Sequence, residues 1–96
     1  MKDQVVHITV TFLGLLRDQM GAPRLELALP PSAGARDLLE ALAPHVEGKL
    51  GEWAWDSDKR EFTSRVIISR SHSGGVREGD LTDGEEIVVF PLMVGG

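Results

Sequence analysis

Ninety-six residues, 42% hydrophobic and 26% charged, make one small folded domain and are too apolar for a disordered chain. A net charge of -5 argues against nucleic acid as a partner, and the lack of cysteine excludes disulfides, thiolate nucleophiles and Cys-ligated metal. No apolar run approaches the roughly 20 residues of a membrane span, and the polar start Met1-Lys2-Asp3-Gln4 is unlike a signal peptide. A cytoplasmic single domain over 1–96 is expected.

Residues 5–12, VVHITVTF, alternate with β-branched side chains and predict a strand. Val6, Ile8, Val10 and Phe12 share one face; His7, Thr9 and Thr11 share the other. The following stretch, punctuated by Gly14, Gly21 and Pro23, reads as a long turn over roughly 13–23 that returns into a second strand, RLELAL.

PPSAGA ends that strand. ARDLLEALAPHV then places Leu38, Leu39, Leu42 and Val46 on one helical stripe, started by Ser32 or Gly34 and ended or kinked by Pro44 near Ala43. Residues 47–63 are too long for a bare loop in so small a domain, so a local turn or short strand is expected there. Trp53 and Trp55 fall on one side if the backbone is extended. At least one is expected to plug the core; the other reading is an exposed anchor for a partner.

RVIIS predicts another strand, followed by a Gly-rich turn. Asp83-Gly84 marks a turn into a last strand from about Glu86 to Phe90. Strands on either side of one helix, without regular βαβ alternation, imply an α+β roll with the first and last strands central. Phe12, Leu38, Leu42, Ile67, Ile87 and Val89 are the expected core.

Candidate chemistry is sparse. His7, His45 and His72 have no metal-ligand spacing, and only His72, in a Ser/Gly loop, is a candidate for function. Gly74-Gly75 lacks the lysine and helix of a phosphate loop. Lys59, Arg60, Arg65, Arg70 and Arg77 interleave with Asp56, Asp58, Glu61 and Glu78, which reads as a mixed-charge surface rather than an anion site.

The chain closes with Phe90-Pro91-Leu92-Met93-Val94-Gly95-Gly96. Apolar residues in a tail gain nothing unless something buries them, and glycine is costly to order. Two stretches resemble the ubiquitin-like β-grasp sulfur carriers, above all the small subunit of molybdopterin synthase and more distantly the thiamine-pathway carrier. VTFLGLLRDQMG, with Leu16, Arg17 and Gly21, is similar to the family's first strand and loop. LTDGEEIVVFPLMVGG is similar to its last strand and tail.

That resemblance implies a ubiquitin-like β-grasp: a mixed sheet of about four to five strands on one main helix, with a flexible tail at about 91–96. It implies that an E1-like adenylyltransferase uses ATP to adenylate the Gly96 carboxylate. A persulfide then displaces AMP and leaves a thiocarboxylate for the synthase's large subunit or another sulfur-accepting enzyme. Phe90, Pro91, Leu92, Met93, Val94 and Gly95 would be the partner-binding residues, with no cofactor or metal held by the chain itself. Leu92 and Val94 are bulkier than the commonest family tails. Carriers for thiazole, cysteine or tungsten-cofactor synthesis therefore remain alternatives, as does a modifier joined to other proteins through Gly96.

Overall fold

The computed structural model describes residues 5–70 and 81–92. In chain order they form β1 (Val6–Phe12), α1 (Leu15–Met20), β2 (Arg24–Leu29), α2 (Ala35–Val46), β3 (Trp55–Asp56), β4 (Glu61–Phe62), β5 (Val66–Arg70) and β6 (Glu85–Pro91). β1, β2, β5 and β6 make one sheet in the order β2-β1-β6-β5, while β3 and β4 form a separate small hairpin. β1 and β6 are parallel and the other pairs antiparallel. The first and last strands thus lie side by side at the centre, as the sequence predicts.

Alternation decides what each central strand buries. Ile8, Val10 and Phe12 of β1 and Ile87 and Val89 of β6 are buried with Leu38, Leu42 and Val46 of α2 in one core. The Leu-rich stripe of α2 therefore performs as its spacing predicts. The helix opens at Gly34, whose N–H donates to Asp37 Oδ2 at 2.9 Å. Pro44 does not end it: α2 continues to Val46. Pro44 lies in the last turn, only two residues of helix follow, and burial of Ala43 and Val46 outweighs the one lost backbone bond.

Three expectations need correction. The long turn over 13–23 contains α1, a six-residue helix that buries Leu16 and Met20 at i, i+4. Ile67 is not a core residue: β5 directs Val66 and Ile68 to the core and leaves Ile67 half-buried on the other face. Trp53 and Trp55 do not share an extended segment, because Trp53 lies in a turn.

Trp55, on β3, is buried, donates its indole N–H to Glu47 Oε2 at 3.3 Å, and meets Phe62 edge-on with ring centroids 5.0 Å apart. Trp53 packs half-buried against the core, so the expected plug is Trp55. An ionic clamp holds this hairpin to α2. Arg36 Nη2 donates to the Arg60 carbonyl at 2.6 Å, and Arg60 pairs with Glu40 at 3.2 Å.

Candidate functional site: the root of the C-terminal segment

β6 is the element that presents the chain's last residues. Its position between β1 and β5 ties it on both sides, with Phe90 opposite Ile67 and Pro91 opposite Val66. Leu13 N–H donates to the Val89 carbonyl at 3.0 Å, just beyond the end of β1. Leu92 N–H donates to the Arg65 carbonyl at 2.8 Å. The expectation that the free tail starts at about residue 91 is thus corrected: Pro91 belongs to β6, and Leu92 has a backbone partner that no sequence pattern announced. Met93, Val94, Gly95 and Gly96 lie outside the described residues, as do His72 and Gly74-Gly75.

Gly14 shapes this root. Its φ of +62° with ψ of -139° is a backbone state that side chains rarely tolerate, and a Cβ placed there would meet Pro91 Cγ at 3.4 Å. The turn from β1 into α1 therefore lies directly against Pro91.

The two faces of β6 divide the labour. Ile87 and Val89 enter the core, whereas Val88 and Phe90 are half-buried on the opposite face, beside Ser69 and Ile67 of β5. Exposed Leu13 and Leu92, 43% and 47% accessible, flank the same end. Phe90 and Leu92, two of the residues expected to bind a partner, thus lie on one face at this end of β6. Ile67 and Leu13 adjoin them, a neighbourhood that only strand register creates.

At the other end of β6, Glu85 is fully buried. Its carboxylate accepts from Arg70 Nε, from Arg70 Nη2 at 2.8 Å and from the Thr82 N–H at 2.9 Å. The hydrogen bonds from the guanidinium to Glu85 raise the Arg70 pKa further above its ordinary value. Arg70 is therefore a buried ion-pair partner and not part of the mixed-charge surface. Nearby, the exposed Asp83 Oδ1 accepts the His7 backbone N–H at 2.7 Å and lies 2.9 Å from His7 Nδ1. These contacts, the backbone hydrogen bond foremost, hold the Asp83 carboxyl below the usual carboxylate range.

Among the described residues no group of His, Asp and Glu is placed to hold a metal ion, and no helix is long and apolar enough to cross a membrane.

The strand order, the parallel β1–β6 pair and α2 across the sheet define the ubiquitin-like β-grasp fold. No family model and no curated protein matches the sequence. Solved structures match the fold. Small archaeal modifier protein 1 of Haloferax volcanii superimposes with a TM-score of 0.72 at 18% identity, covering 92% of this chain and 99% of its own. Small archaeal modifier protein 1 of Methanosarcina acetivorans gives 0.68 at 22% identity, covering 97% and 99%. A Pyrococcus furiosus protein assigned as molybdopterin converting factor, subunit 1, gives 0.67 at 27% identity, covering 92% and 99%. The resemblance read from the two sequence stretches and the likeness of the folds agree.

Proposed function

We propose that this protein is a sulfur carrier whose Gly96 carboxylate is activated and thiolated, serving as the small subunit of a molybdopterin synthase. The observation that carries the reading is a Gly95-Gly96 end in the sequence together with a β-grasp whose central strand β6 leads into that segment and carries Phe90 and Leu92 on its outer face. The likeness to the Pyrococcus molybdopterin converting factor subunit supports the pathway. In the reaction proposed, a Gly96 carboxylate oxygen attacks the α-phosphorus of ATP on an E1-like enzyme and releases pyrophosphate. A persulfide sulfur then attacks the carbonyl carbon and expels AMP. A thiol cleaves the resulting acyl disulfide, taking up the outer sulfur as a mixed disulfide and leaving the thiocarboxylate. Five residues from Leu92 to Gly96 reach at most about 18 Å at about 3.3–3.6 Å each, enough to thread a narrow channel.

Gly96 deletion and a one-Ala extension test this in ATP–pyrophosphate exchange with a cognate E1-like enzyme. The carboxylate must come within about 3–3.5 Å of the reacting phosphorus, so a one-residue change in reach should abolish exchange while the melting temperature hardly moves. Exchange by both variants equal to that of the wild type removes Gly96 from the site.

A second reading, a modifier joined to lysines through Gly96, is favoured by the likeness to the two small archaeal modifiers. Mass spectrometry of lysine adducts in a lysate separates it from a carrier. Pull-down of a large subunit supports the molybdopterin pathway, and capture of a thiazole or cysteine synthase in its place reassigns the acceptor.

A further inference from the structure

The apolar residues of β5 say little about which of its faces is the inner one. Val66 and Ile68 point to the core, while Ile67 and Ser69 point away from it. A shift of one residue along β6 exchanges the two faces, so two inward aliphatic side chains give way to one. The outer face of β6 adds no contrast, because Val88 and Phe90 are apolar as well. Burial alone separates the two phases weakly.

Charge separates them strongly. Arg70 ends β5 on the inward face, opposite Ile87 and diagonal to Glu85. Both side chains are buried, and Arg70 Nη2 donates to Glu85 Oε1 at 2.8 Å. Diagonal neighbours on one face of a strand pair are within reach of long side chains. After a one-residue shift Ile67 opposes Val89, and Arg70 turns outward to oppose Glu86. Glu85 then stays in the interior without the guanidinium, an expensive arrangement.

We infer that the Arg70–Glu85 pair sets the phase of β5 on β6, and thereby places Ile67 beside Phe90 and the Arg65 carbonyl at the Leu92 N–H. Arg70 and Glu85 are thus positioning residues for the root of the C-terminal segment, although they lie at the far end of both strands. In the shifted phase Val66 replaces Ile67 beside Phe90, and a guanidinium enters the outer face next to Val88. The Arg65 carbonyl moves about 3.3 Å along β6, away from Leu92. A buried polar or ionic group that selects one register is the best attested use of such groups. The placement holds whatever chemistry Gly96 undergoes.

The chain has no cysteine, so an engineered disulfide can report the phase. Ile67→Cys with Val89→Cys puts the thiols on opposite faces in the native phase and directly opposite each other in the shifted one. Adding Glu85→Leu should raise the yield of this disulfide roughly tenfold or more under mild oxidation, read by intact mass. Ser69→Cys with Val89→Cys reports a shift in the other direction and should gain far less. Simple fraying of β5 would raise both alike. Arg70→Met with Glu85→Leu, free of cysteine, removes both charges. It should melt near the wild-type temperature yet show doubled amide signals over 65–70 and faster amide exchange at Leu92. Equal gains by the two cysteine pairs, no gain by either, or a single set of signals with wild-type cross-strand contacts in the double variant would overturn the proposal. The double variant keeps the test decisive if Glu85→Leu fails to fold.

Discussion

Glu85 shows how far a single residue can depart from its usual behaviour. A carboxylate with no solvent exposure persists only if paired, and among the described residues one guanidinium and one backbone N–H bond to it. Removing Arg70 takes the guanidinium away from a fully buried carboxylate, so Arg70→Ala should cost on the order of 3 kcal/mol in urea unfolding. Arg70→Met with Glu85→Leu should recover much of the loss, and a double variant no better than the single one would remove the pair from the account of stability. Asp83 gives a pH-dependent counterpart. Its folded pKa lies below the unfolded value, so its contribution is present above the ordinary carboxylate range and disappears as pH falls through the folded pKa. The stability difference between wild type and Asp83→Asn should therefore be constant near neutrality and shrink below about pH 4 in acid titrations of stability. A difference that grew with acid would contradict it. Neither residue was legible beforehand: Asp83-Gly84-Glu85-Glu86 reads as a polar turn, and Arg70 is fifteen positions away from its partner.

Elements were legible wherever one period dominated. β1 and α2 follow from strict spacing, whereas RVIIS and EEIVVFP are apolar at both parities and take their phase from strand register, where Ile68 meets Val89. α1 was hidden by its own boundaries. Gly14 and Gly21 read as loop punctuation, yet Gly21 caps the helix in the left-handed region at φ +78°, and between them Leu16 and Met20 have the i, i+4 spacing that could have revealed it. The two glycines should respond unequally to alanine. Gly21 has open space around it, so Gly21→Ala should lose about 1 kcal/mol to backbone strain alone. Gly14 has a rarer conformation and Pro91 close by, so Gly14→Ala should lose more and disturb the amide of Leu92. Thermal melts and amide shifts check the order, and equal losses would mean that Pro91 does not feel the turn.

At the scale of the whole molecule, alternation along β6 separates a buried face from a half-exposed one. Its central place in the sheet was legible from the sequence, as was the apolar character of its last residues. The face that the last residues share with Leu13 and Ile67 was not, because it arises from pairing between segments far apart in the chain. The division makes a quantitative forecast. Val89 is fully buried, so Val89→Ala should cost about 1–3 kcal/mol of stability, from lost transfer energy and the space left behind. Phe90 and Ile67 are paired on the half-exposed face, so Phe90→Ser and Ile67→Ser should each cost about 1 kcal/mol or less. If the row is where the activating enzyme seats the carrier, the order reverses for function. Val89→Ala, once folded, should keep most of its ATP–pyrophosphate exchange. The two outer-face variants should raise the carrier concentration needed for half-maximal exchange by roughly tenfold or more, since truncation of a central apolar anchor commonly costs above 1 kcal/mol. The maximal rate should change less, because the carboxylate and its reach are untouched. Exchange that follows stability across all three variants would show that the outer face of β6 takes no part in partner binding.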